Sequence, residues 1–340
     1  MADDQKLKVM NKEAAISCLS ATDGVTHVDL DLDADSQTNF WKKEDGPISM
    51  AFAAQEYDMT FEGLEDVARL VGLPKGYVQR CLWHLLEEHL KYWYSGGLKA
   101  KARLFVQDQQ IVGVGTSRSD YFSNMEMLEH VEEAVGVSQI LGYHQVFTGL
   151  DYSTAAVVLD QKFEPRVGDA LYGGIRMQNS ILGEHKIEIT PYVFRQWCSN
   201  GAIVSENIAQ WSRRSNDGSD LRSWVLDNTQ SAVNALDNEF SRIRKLADSK
   251  LEGSVDQTLA SLFRKFGIPV RTQQQIVEAA EASNDGKGPE TAYDLWNAIT
   301  VTATHSDSLS RPAARMLMGV AGEVSQQYSV CPSCHQICNH

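Results

Sequence analysis

The period of apolar and polar positions changes several times along the chain, and each change marks an element. From Phe61 to Tyr94 the spacing is helical: Leu64, Val67, Ala68 and Val71 share one face, Gly72 to Pro74 interrupt it, and Val78, Leu82, Leu85 and Leu86 resume it. This predicts a helical hairpin. Strand-like runs then follow, with Ala102–Val106 and Ile111–Gly115 flanking the polar turn Gln107–Gln110 as a hairpin. A helix is expected from Asn124, whose side chain is placed to cap it, through Met127, Leu128, Val131 and Val135. Further extended runs are expected over 142–150, 155–159, 169–178 and 185–189, and Pro191 suits the first turn of a helix over 192–211.

Beyond Ser219 the pattern is helical to the end. Leu221, Val225, Ala232, Leu236, Phe240, Ile243 and Ala247 define one helix of some thirty residues. Shorter helices are expected over 255–266, 272–282, 289–304 and 311–327, with a loop at 283–289. Hairpins broken by single helices indicate an α+β fold with an antiparallel sheet and crossing helices, because parallel units need a helix after nearly every strand. The chain divides into an acidic N-terminal arm (1–60), the helical hairpin (61–95), an α+β core (96–216), a helical region (217–328) and a Cys/His-rich tail (329–340).

Charge sharpens this division. The 340 residues carry a formal net charge of −14, and residues 1–70 alone hold fifteen acidic against six basic side chains. Such a balance argues against unspecific adhesion to nucleic acid or anionic membrane over the whole surface. Asp29, Asp31, Asp33 and Asp35 alternate with Leu30, Leu32 and Ala34, which is strand periodicity with one face charged. An acidic edge strand or arm is one reading; a metal comb or a mimic of a nucleic-acid backbone is the other. No run reaches the roughly 18 to 20 apolar residues of a membrane helix, and the start is too polar for a signal peptide, so a cytoplasmic protein is expected.

Between residues 165 and 250 the sign changes, with eleven basic and ten acidic side chains. Arg176, Lys186, Arg195, Asn200, Arg213 and Arg214, with Lys99, Lys101 and Arg103 beside Trp93 and Tyr94, supply cations and aromatics for a groove that tracks phosphates and stacks bases. Arg195 and Asn200 serve equally as ties between helix and sheet. The helical hairpin also resembles a helix-turn-helix, although Lys75, Gln79 and Arg80 are followed by the acidic Glu87 and Glu88.

Two patterns suggest other chemistry. Asp169, Glu184 and Lys186 have the order of a nuclease site in which two carboxylates hold Mg²⁺ and a lysine activates water. In the tail, Cys331, Cys334, His335, Cys338 and His340 have spacing suited to one tetrahedral Zn²⁺; a terminus with reducible thiols is the alternative. The other cysteines, Cys18, Cys81 and Cys198, are scattered. There is no phosphate-binding glycine loop and no nucleophile elbow.

Several ordered motifs carry a family resemblance: the run Gly113 to Tyr121, Asn124 to Glu126, Val167 to Asp169, Asn179 and Ser180 with Gly183, Arg195 to Gly201, and Leu295 to Ala298 with His305. Together they resemble the phage and plasmid-like family catalogued as domain of unknown function 932, over about residues 50 to 325. Where that family often has His-Asp before the glycine, this chain has Ile181 and Leu182. The resemblance implies a phage or prophage origin and no enzymatic mechanism. The expected sheet crossed by helices is also similar in architecture to Rad52-like phage annealing proteins. The expectation is therefore ATP-independent binding and annealing of single-stranded DNA by a homo-oligomer, with a metal-dependent nuclease or a phage protein that binds a host protein as alternatives.

Overall fold

Two sheets, each with helices packed against it, organise the protein. The structure, a computed structural model, describes residues 9–31, 38–44, 46–52, 54–95, 101–116, 122–165, 169–195, 200–203, 211–213, 220–251, 255–283, 286, 288–306, 309 and 311–329. In chain order the helices are α1 (Lys12–Leu19), α2 (Phe61–Leu70), α3 (Lys75–Val78), α4 (Trp83–Ser95), α5 (Asn124–Val135), α6 (Leu221–Asp248), α7 (Val255–Phe266), α8 (Val270–Ser283), α9 (Ala292–His305) and α10 (Arg311–Ser329). The strands are β1 (Thr26–Asp31), β2 (Asn39–Lys42), β3 (Ile48–Phe52), β4 (Gln55–Met59), β5 (Lys101–Gln107), β6 (Gln110–Thr116), β7 (Ile140–Phe147), β8 (Ser153–Phe163), β9 (Leu171–Asn179), β10 (Ile187–Arg195), β11 (Asn200–Ile203) and β12 (Trp211–Arg213). The class is α+β, as the periodicity predicts. No helix among the described residues is long and apolar enough to cross a membrane.

The first sheet has the order β1-β5-β6-β4-β3-β2, antiparallel except for the β4–β6 pair. Its core gathers Phe40, Met50, Leu104 and Ile111 from strands with Leu64 and Val67 of α2 and Leu86, Leu90 and Tyr94 of α4. The β5–β6 hairpin turns through Asp108 and Gln109, both at positive φ (49° and 63°), the left-handed pair that matches strand twist in a two-residue turn. The segment expected to be an acidic arm is built into this architecture: Lys12–Leu19 is helical and Thr26–Met59 supplies four of the six strands. Its apolar residues Leu30, Phe40, Met50 and Phe52 are buried, and that burial overrides the charge that suggested an arm.

The second sheet runs β11-β10-β9-β8-β7, with β12 also pairing β10. Ala155, Val157, Leu159, Ile175, Met177, Ile187, Ile189 and Val193 point to one side, into a core shared with Met127 and Val131 of α5 and Val225, Leu236 and Phe240 of α6. α5 begins with a capping box between Ser123 and Glu126, so the cap is Ser123; Asn124 is buried instead. The helix expected over 192–211 is a correction: Ile187–Arg195 is a strand, followed by β11 and β12. Inward Ile187, Ile189 and Val193 alternate with Glu188, Thr190 and Tyr192, a two-residue period that proline at 191 does not cancel. Pro191, which has no N–H to donate, falls between the stretch paired with β12 (Ile187–Ile189) and that paired with β11 (Tyr192–Arg195).

The turn joining β9 and β10 links the two sheets. Asn179, Ser180, Ile181 and Leu182 are buried although they lie in a turn between two strands, and Ile181 and Leu182 cluster with Val25 and Phe105 of the first sheet's side. Leu182 also donates its N–H to the Leu150 carbonyl at 3.1 Å.

Candidate nucleic-acid interface

The face of the second sheet that turns away from α5 and α6 is read off the register. One cross-strand row holds His144, Ala156, Arg176 and Thr190; the next holds Phe147, Thr154, Gln178 and Glu188. These side chains share a face because successive residues of a strand point to opposite sides. At the β7–β8 end, three rings form a chain: Phe147 and Tyr152 lie 6.2 Å apart between centroids, and Tyr152 meets His185 edge-on at 6.2 Å. Phe147 is 53% exposed, and His185 is exposed too.

Arg176 stands beside this strip on β9. Its Nη2 donates to the Tyr152 hydroxyl at 3.0 Å and its Nε to Thr154 Oγ1 at 3.3 Å, while Thr154 Oγ1 donates to the Met177 carbonyl at 2.9 Å. A guanidinium carries five donors. Two are committed here, and they hold the group against Tyr152 with its other edge available. Deeper on the face, Tyr192 and His144 Nδ1 hydrogen-bond at 2.7 Å, and burial pushes the Tyr192 hydroxyl above the usual tyrosine range, with the Arg176 charge opposing. The arrangement supplies exposed rings to stack on and one fixed cation, the pairing that single-stranded nucleic acids meet on binding proteins.

The loops that present the strip are held by buried amides. Asn124 Nδ2 donates to Thr22 Oγ1 (3.0 Å) and Ser153 Oγ (2.9 Å), and Asn179 Nδ2 donates to the Phe122 carbonyl and to Asn124 Oδ1, both at 2.9 Å. Ser153 Oγ in turn donates to the Gly149 carbonyl at 2.7 Å, and Ser180 Oγ accepts the His185 N–H at 3.2 Å. Asn124, Asn179 and Ser180, which stand out in the sequence, therefore act as scaffold beneath the β7–β8 and β9–β10 turns. Outside them, Arg69 of α2 bridges Asp66 (3.0 Å) and Glu184 (2.7 Å). The Glu184 carboxylate raises the Arg69 pKa, and burial holds the Asp66 carboxyl above its ordinary range against the opposing Val114 N–H.

The residues singled out in the sequence do not converge on one groove. Arg176, half-buried between the buried Ala156 and Thr190, lies on the face away from α5 and α6, and Lys186 is exposed just before β10. Arg103 is turned to its neighbour strand, with Nε 2.9 Å from Asp29 Oδ1, a bond that lowers the Asp29 pKa; Lys101 stands opposite Asp31 in the same register. Asp29 of the acidic comb is thus answered from β5, while Asp33 and Asp35 lie outside the described residues. Arg213 is buried, with its guanidinium 5.8 Å from the Trp224 ring centre, so it faces inward and not toward a phosphate. Arg195 and Asn200 are register partners of β10 and β11. Lys99, Arg214 and the tail residues Cys331, Cys334, His335, Cys338 and His340 lie outside the described residues.

The nuclease triplet separates. Asp169 precedes β9, is buried, and accepts from the Tyr293 hydroxyl at 2.6 Å, whereas Glu184 follows the far end of that strand. Nine residues of strand at roughly 3.3 Å each put the two carboxylates more than about 20 Å apart, too far to share an ion. Among the described residues no group of three or more His, Cys, Asp or Glu is placed to hold a metal.

Sequence reasoning missed Phe147, Tyr152 and His185. Their signal was the polar set Tyr172, Arg176 and Gln178 alternating with inward residues on β9, which marks a second face with polar positions; which loop rings reach its exposed end depends on the register of four strands. Comparison with family models, curated proteins and solved structures gives no match for this chain.

Proposed function

We propose that the protein binds single-stranded DNA at the Phe147–His185 end of its second sheet, where the outer face is exposed, and promotes annealing without ATP, as a phage-type recombination protein. The observation that carries the reading is the chain of rings Phe147, Tyr152 and His185, exposed at its two ends and half-buried at Tyr152, next to the anchored Arg176. Rings of this kind stack bases without regard to sequence, and an arginine held at its back presents its remaining donors to a phosphate. The net acidic charge of the chain weakens any interaction with duplex over the general surface. The resemblance to the phage and plasmid-like family belongs to the same proposal, and so does a zinc-stabilised tail.

Fluorescence anisotropy with a labelled single-stranded oligonucleotide tests it. Binding at low ionic strength should weaken as salt rises, with few phosphates in the slope. Replacing one stacking ring costs about 1 to 3 kcal/mol per base, so Phe147→Ala should weaken binding by roughly 5- to 150-fold. Absence of affinity at low salt, or affinity indifferent to both Phe147→Ala and Arg176→Ala, removes the proposal.

A further inference from the structure

Helix α4 buries one face and leaves an apolar stripe exposed beside it. Leu86, Leu90 and Tyr94 enter the core of the first sheet, while Leu85 (41%), Tyr92 (70%) and Trp93 (46%) are exposed, along with Leu82 (63%) just before the helix. His89 is exposed between them. Positions 82, 85, 89 and 92 step by three, four and three. This is the a/d spacing of a seam that packs on a second helix, narrower than the broad face a helix turns to its own core.

The stripe is also stiffened before any partner arrives. Tyr77 of α3 stacks on His89 at 5.7 Å, and its hydroxyl shares a 2.7 Å hydrogen bond with His89 Nδ1. Tyr92 and Trp93 meet edge to face at 5.5 Å. Rings already held in place lose little freedom on association.

We propose that α4 is the contact through which a second copy of this chain docks, seam against seam about a two-fold axis. The partner of an a/d seam is a helix of the same spacing. Among the described residues the other strongly exposed large apolar side chains on α-helices, Phe61, Val270 and Met316, each stand singly on a different helix, so the matching seam is α4 itself. A self-complementary patch of this kind closes as an isologous pair. Taking roughly 200 Å² for a full aromatic side chain, Tyr92 and Trp93 alone expose about 230 Å². The leucines bring the patch to about 400 Å², the size at which an exposed apolar surface marks a binding site. Doubled across the axis, and ringed by the exposed His84, Glu88 and Lys91, it supplies the apolar centre and much of the roughly 1,200 Å² at which stable pairs begin. The inference is independent of nucleic-acid binding, which uses the other sheet.

Sedimentation velocity of the full chain over a concentration series tests it. The wild type should sediment as a dimer or a multiple of it, and Leu85→Glu with Tyr92→Glu should shift it toward monomer with about 100-fold or more weaker self-association, because the seam would bury unpaired carboxylates. Both sites are exposed, so the circular dichroism spectrum and melting temperature should hold. Val270→Glu, on an isolated exposed residue of α8, should leave association unchanged. A monomeric wild type at about 100 μM, or a double variant that associates as the wild type does, overturns the proposal. Loss of dimer with oligonucleotide affinity retained supports it, and separates its fate from that of the sheet-face reading.

Discussion

Adding one methyl group at Gly113 and adding one at Gly115 should have consequences of different kinds, although both glycines face the same leucine. A Cβ on Gly113 would lie 2.9 and 3.0 Å from the two terminal methyls of Leu182, with its next neighbour, Asp66 Oδ2, at 3.5 Å. A Cβ on Gly115 would lie 2.4 Å from the Leu182 carbonyl oxygen and 2.7 Å from the Phe105 ring. Overpacking of this sort costs about 1 to 3 kcal/mol, and more where backbone must move, so Gly113→Ala should fall within that range and Gly115→Ala at or above its top. Leu182→Ala by itself should cost about 2 to 5 kcal/mol, since the side chain is buried at the junction of the sheets. In the double variant Gly113→Ala with Leu182→Ala the clashing methyls are gone and the new methyl fills part of the void. Its cost should be below the sum of the singles by about 1 to 2 kcal/mol. With Gly115→Ala the carbonyl remains whatever the side chain, and the costs should add to within about 0.5 kcal/mol. Urea titrations followed by tryptophan fluorescence and by far-ultraviolet dichroism provide the measurement, coincidence of the two curves licensing a single free energy. Equal rescue of both glycine variants by Leu182→Ala, or wild-type stability in both, would refute the packing argument.

The buried pair on α6 gives a second prediction. Arg242 Nη1 donates to Glu239 at 3.2 Å, both side chains are inaccessible, and burial raises the Glu239 pKa and lowers that of Arg242 against their mutual attraction. Arg242→Met should cost about 3 to 5 kcal/mol near pH 7 by stranding a carboxylate, while the double variant Glu239→Leu with Arg242→Met should be close to neutral or stabilising. A carboxyl whose folded pKa is raised is favourable below its unfolded pKa and loses that contribution as pH rises through the folded value, so the Arg242→Met variant should regain stability toward about pH 4; a penalty that grows on acidification contradicts the assignment. For the tail, elemental analysis of protein purified without chelator should find one zinc per chain, lost on deleting residues 329–340 with little change in helix content, and absence of zinc refutes the site.

Local pattern decided much of the secondary structure. α5 and α7 begin and end where the apolar period does, and the β5–β6 hairpin follows from two strand-like runs around a short polar turn. Such elements depend on residues near one another in the chain, where caps, turn chemistry and periodicity act directly. β10 shows the limit: proline at 191 is a helix opener locally, yet pairing with β9, β11 and β12 makes the segment a strand, a choice that belongs to residues up to 26 positions away.

Function was less legible for the same reason. The sequence by itself supplied the residue types, cations and aromatics in the middle of the chain, but not that Asn124, Asn179 and Ser180 are buried scaffold. Only the tertiary structure decided that Arg103 answers Asp29, that Arg213 faces Trp224, and that Asp169 and Glu184 stand at opposite ends of one strand. It also set Phe147, Tyr152, Arg176 and His185 on one patch of surface. Charge and aromaticity are properties of single residues, whereas a partner, a buried position or a shared face is fixed by strand register and by which surfaces are removed from water.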